Sequence, residues 1–160
     1  MKKLIIFTIS FIIWSNIPAE EKPLYSAYQQ YAGVSKEANT ILPLLRFYSD
    51  KQYLSFEQYF THKDLKHGID TLFSRLKFPA YLQKVILHKE IITQNTGCLM
   101  VAGLSKEKKQ TAIYVGYSKT HQWLIDSINV EFLNDNESFL EKPICNTEKL
   151  QQKRMEAWVK

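Results

Sequence analysis

The apolar residues of this chain change their period at Pro79, and that change limits the fold more than any other feature. Before it, Leu65, Ile69, Leu72, Phe73 and Leu76 recur at the spacing of one helical side. After it, the stretches Tyr81 to Thr93, Cys98 to Leu104, Gln110 to Tyr117 and Trp123 to Phe132 are rich in Val, Ile, Tyr, Phe and Trp, as strands are. The polar dividers Gln94 to Gly97, Ser105 to Lys109 and Ser118 to Gln122 are short enough to be hairpin turns. The four strands should therefore pair in sequence order as an antiparallel meander. Helices first and strands afterwards mean a segregated α+β architecture: N-terminal helices packed on a curved four-stranded sheet, a cone-like roll. The helices must roof one face, because Val85, Leu87, Ile91, Leu99 and Val101 cannot all stay wet at about 25 cal/mol per Å2 of apolar area.

Local signals refine the helical half. Tyr25, Tyr28 and Tyr31 recur every third residue up to Gly33, which suggests a short helix with an aromatic stripe. Those rings either pack over the core edge with wet hydroxyls or form part of a binding surface with Tyr53 and Tyr59. Ser35 can cap a helix carrying Ala38, Ile41, Leu42, Leu45 and Tyr48, but Pro43 interrupts it. A proline there either kinks the helix or marks a later start near Thr40 to Leu42. A short helix from Ser55 to Phe60 should follow, then one from His62 or Lys63 to Leu76, weakened at Gly68. Beyond the sheet, Asn134 to Asn146 reads as polar and irregular, and Asn146 or Thr147 can cap a last helix to Val159.

The compartment is read from the start of the chain. Met1, Lys2 and Lys3 precede an apolar run from Leu4 to Trp14 and a turn-prone stretch ending Ile17, Pro18, Ala19. That is the pattern of a cleavable signal peptide over residues 1–19, leaving 20–160 as a single α+β domain in the periplasm or outside the cell. The apolar run is shorter than the roughly 20 residues that a spanning helix needs, so no stable membrane span is expected after signal removal. The formal net charge of +5 includes Lys2 and Lys3, and the remaining acids and bases are mixed along the chain, which argues against nucleic acid as a partner. Lys106, Lys108 and Lys109 lie between two strands and read as a solvated hairpin tip. Cys98 and Cys145 are the only cysteines. In an oxidising compartment a bridge is the natural inference, closing a loop of about 48 residues and contributing about 4 kcal/mol at best. A single reactive thiol is the alternative, and it would need a basic partner that the sequence does not reveal.

The element order resembles the nuclear-transport-factor-two-like superfamily, a cystatin-like α+β roll. Leu44 to Ser49 is followed by Asp50, Lys51, Gln52 and Tyr53, then by the aromatic Phe56, Tyr59 and Phe60. Gln122, Trp123, Leu124, Ile125, Asp126, Ser127 and Ile128 look like that superfamily's Trp-led strand. The likeness spans Leu42 to Phe132. It implies a small exported binding or accessory module, and related folds that isomerise or dehydrate small molecules place an acid inside the cone. The matching candidates here are Asp126, His88, Tyr114 and Tyr117.

Alternation places Asp126 on one side of its strand with Leu124, Ile128 and Val130, where burial would suit a general base. The other possibility is that Trp123 and Ile125 mark the buried side, and a bulge would switch the two. His62, Asp64, His67 and Asp70 are close in sequence, but His62 and His67 fall about 140° apart around a helix, against a metal site. No nucleophile elbow, phosphate-cradling glycine loop or paired-cysteine motif is present, and no cofactor is implied. The expectation is a non-enzymatic exported binding module engaging a protein partner or an apolar small ligand. One form is an immunity or inhibitor protein acting in the envelope, and the competing class is a small-molecule binder or general-base enzyme using the cone.

Overall fold

A computed structural model describes residues 23–158, apart from His62 and Asp135. The expected signal segment and His62 lie outside the described residues. Four strands form the sheet: β1 (Lys84–Thr93), β2 (Thr96–Leu104), β3 (Gln110–Lys119) and β4 (Trp123–Phe132). They pair in sequence order and every pair is antiparallel, giving the expected meander. β1 begins three residues later than the composition suggests, because Pro79 sits in the first turn of a 3-10 helix over Phe78–Tyr81. A proline fits there since its missing N–H is not needed.

Alternation along β2 and β3 divides the core in two. Leu99, Val101, Ile113, Val115 and Tyr117 join a cluster with the N-terminal helices. Met100, Ala102, Ala112 and Tyr114 point the other way and pack with Leu150 and the half-buried Leu87, Phe139, Leu140 and Ile144. Both faces of the central strands are therefore covered. The polar return segment that carries Cys145 supplies the second cover. The Cys98–Cys145 disulfide staples it to β2. Asn146 Oδ1 accepts from Lys149 N at 2.9 Å and so caps α6 (Thr147–Trp158).

On the helical face, α1 (Pro23–Glu37) runs further than the tyrosine repeat predicted. Its buried stripe is Leu24, Tyr28, Tyr31 and Ser35, at i, i+4, i+7 and i+11. Ser35 is thus inside the helix and is not a cap, and Gly33 does not end it. Burial of three large side chains on one stripe, at about 1.5–3 kcal/mol each for an aliphatic residue, outweighs the glycine's roughly 1 kcal/mol propensity deficit. Pro43 does set a later start, as one of the two alternatives held. α2 (Leu42–Leu45) is a single turn with the proline in it. Beyond it, Tyr48 bridges Ile125 in parallel, with Ser49 N donating to Ile125 O at 3.1 Å and Ile125 N to Phe47 O at 2.8 Å. This strap covers one end of the β4 edge.

Ser49 then caps α3 (Asp50–Ser55), its Oγ accepting from Gln52 N at 3.3 Å. α4 (Glu57–Phe60) follows, and Asp64 caps α5 (Leu65–Leu76) by accepting from His67 N at 3.1 Å. The Tyr31 hydroxyl fastens these parts together. It donates to the Leu76 carbonyl and shares a hydrogen bond with the Tyr48 hydroxyl at 2.8 Å, while its ring stacks on Phe78.

One glycine is required by close approach. A Cβ built on Gly103 would lie 1.9 Å from the Lys84 carbonyl oxygen, beside the register shift between Val85 and Leu87. Gly103→Ala should therefore force β1 and β2 apart and destabilise the fold by about 3 kcal/mol or more, at the upper end of overpacking costs. A urea denaturation midpoint unchanged from wild type would show that the β1 bulge accommodates a methyl group.

Candidate functional site

Of the residues that sequence reading singled out, Tyr25 and His88 meet, whereas His88, Tyr114 and Asp126 do not form one site. His88 lies on the edge strand β1, with the Tyr25 ring stacked on its imidazole at 3.6 Å between centroids and nearly parallel. Tyr114 is fully buried on the opposite sheet face, in the cluster that meets the C-terminal segment. Asp126 lies on β4, at the other edge. The register shifts there: Gly116 faces Ser127 while Tyr117 faces Ile125, so Asp126 is the extra residue of a bulge. Ile125, not Asp126, enters the helix-side core. The alternation argument for Asp126 as a buried general base therefore fails at the point where the strand stops alternating.

Five tyrosines were candidates for a binding surface, and the structure separates them. Tyr28 and Tyr31 are buried in the core and present no ring to a partner. Tyr25 is half-buried, with its backbone N donating to Glu90 Oε2 at 3.0 Å. Tyr53 is exposed on α3, and Tyr59 borders a cavity. Burial, the largest cause in each case, pushes the hydroxyls of Tyr28, Tyr31, Tyr48 and Tyr117 well above the ordinary phenol range. Among the described residues the buried Tyr117 hydroxyl has no hydrogen-bond partner. These phenols therefore stay neutral at physiological pH and act as structure. His67 and Asp70 are exposed on α5, and among the described residues no cluster of three potential metal ligands forms.

What the fold does build is a cleft of about 290 Å3 between α3, α4, α5, the 3-10 turn and β4. Phe56, Leu72, Leu76 and Phe78, all buried core residues, line its interior together with Ile128 and Val130 of β4. The last two share the helix-side face because β4 resumes regular alternation after the bulge. Tyr81 and Phe132 also line it; both are exposed, in edge-to-face contact at 5.8 Å. Polar groups come from Gln52, Ser55, Gln58, Tyr59 and Arg75. The Arg75 guanidinium lies 5.5 Å over the Tyr59 ring, a cation–π contact. An apolar interior with a few polar side chains is the general form of a small-molecule site, and the volume is at the small end of the usual range of about 300–1,000 Å3.

Most of these residues escaped sequence reading, since a cleft joining 52–59, 72–81 and 128–132 is a product of topology. Arg75 did leave a trace. It borders the α5 stripe with Leu72 and Thr71 three and four residues before it, so its own helix places no carboxylate beside it.

No protein-family model matches the chain, and neither a curated protein nor a solved structure matches it.

Proposed function

We propose that the chain is an exported binding module that receives a small apolar or amphipathic ligand in the α3–α5 cleft without transforming it. The observation that carries this reading is the cleft itself, with an apolar interior and neither histidine nor carboxylate among its lining residues. Asp126 and His88, the candidate acid–base groups, lie on other parts of the sheet. Export is supported by the signal-like Met1 to Ala19 and by the disulfide, which persists in oxidising compartments. Among the described residues no helix is long and apolar enough to cross a membrane. The likeness to the nuclear-transport-factor-two-like superfamily agrees with a ligand held between sheet and helices, and is part of this proposal.

The test is titration of the isotopically labelled, oxidised protein with 1-octanol, followed by amide shifts. Shifts concentrated at Leu72, Leu76, Ile128 and Val130 are expected. No saturable shift there, up to the solubility of the alcohol, would end the reading.

A second reading, binding of an envelope protein by an immunity or inhibitor protein, is favoured by one observation. Tyr53, Leu54 and Leu65 are at least 46% exposed on α3 and α5. Burial of Tyr28 and Tyr31 takes away part of the aromatic surface on which that reading first stood. A pull-down from envelope extract with the oxidised protein would show whether the remainder suffices.

A further inference from the structure

The charge distribution of the cleft says more than that it binds. Arg75 is the only ionised side chain among its lining residues, and no aspartate or glutamate borders it. It makes no ion pair among the described residues, so its charge is left for a ligand. A guanidinium is ionised at every working pH and presents a planar fork that matches a carboxylate. The Tyr59 ring beneath it holds it at the cleft. The side-chain amide of Gln52, another lining residue, makes no hydrogen bond among the described residues and can add a donor.

Resting on the binding reading above, the geometry points to a ligand class: we propose that the cleft takes a free single-chain amphiphile with a monoanionic head, typified by a medium-chain carboxylate. Its chain lies against Leu72, Leu76 and Val130, and its head pairs with Arg75. The cavity of about 290 Å3 has room for about ten waters at roughly 30 Å3 each. That accommodates one short chain.

The experiment compares octanoate, 1-octanol and octyltrimethylammonium, three probes that share a chain and differ in head charge. Each is titrated by amide shifts into the oxidised wild type, Arg75→Gln and Arg75→Lys at low ionic strength. Because Arg75 is exposed, the expected preference of the wild type for octanoate over octanol is about fivefold, the reach of a solvent-accessible ion pair. Arg75→Gln should abolish the preference for octanoate over octanol, and Arg75→Lys should keep part of it. Urea midpoints within error of wild type would show that both variants fold.

Octanol binding as tightly as octanoate, a preference that survives in Arg75→Gln, or tightest binding of the cationic probe would overturn the inference and leave the binding reading standing. Arg75-dependent co-sedimentation with phosphatidylglycerol vesicles, without octanoate shifts in the cleft, would also overturn it in favour of a membrane headgroup. Failure of all three probes to shift the cleft amides would remove the binding reading, and this proposal with it.

Discussion

Between about pH 8 and about pH 11 the protein is expected to lose about 5 kcal/mol of stability, the sum over four phenols at roughly 1.4 kcal/mol per pH unit each above the ordinary tyrosine value. Tyr28, Tyr31, Tyr48 and Tyr117 all have raised values, caused first by burial; at Tyr31 the hydrogen bond with Tyr48 offsets part of the rise. The folded-state value lies above the unfolded one, so only unfolding lets these groups release their protons near pH 10. Their contribution is whole below about pH 10 and is lost as the pH climbs from there towards the folded-state values. Urea midpoints measured across this range should fall steeply, and tyrosinate absorbance from these rings should appear with unfolding in one step. Tyr117→Phe removes a buried hydroxyl that has no partner among the described residues, so it should fold at least as well and reduce the slope by about one proton. A stability that stays level to about pH 11 would mean that these rings reach solvent in the native state.

Removing the disulfide should have an effect of similar size. The Cys98→Ser, Cys145→Ser double variant loses a cross-link spanning 47 residues of sequence. Loop-closure entropy for a loop of that length corresponds to about 4 kcal/mol. The loss acts first on the second cover of the sheet. Phe139, Leu140, Ile144 and Leu150 are held over Met100, Ala102 and Tyr114 by apolar contact and by this bridge. Amide exchange in β2 and β3 should rise together with that of 139–150, and the urea midpoint should fall. A variant as stable as the wild type would show that apolar contact alone fixes the segment.

The sheet was legible because its signals are local and repeated. Strand composition and short polar dividers place β4 at the bounds observed, Trp123–Phe132, and the meander follows from divider length alone. The helical half was less legible because tertiary burial overrides local punctuation there. Gly33 and Ser35 read as a stop and a cap, yet α1 passes through both because Leu24, Tyr28 and Tyr31 share one buried stripe. Ser49 caps a helix, α3, that the sequence reading starts only at Ser55. Asp126 misled for a geometric reason: a bulge leaves no signature in an alternating run, and one extra residue reverses every inference about facing. The second layer over the sheet was missed because Asn134 to Asn146 has the composition of a loop. Cys145 was its only marker, and the pairing with Cys98 was inferred from compartment rather than from packing.

Between Asp50 and Phe60, the stretch that forms one wall of the cleft, Phe56 is the only buried side chain. The disulfide-tied layer lies across the sheet from that wall. The chain's one covalent tether thus sits on the face of the four strands that the cleft does not use.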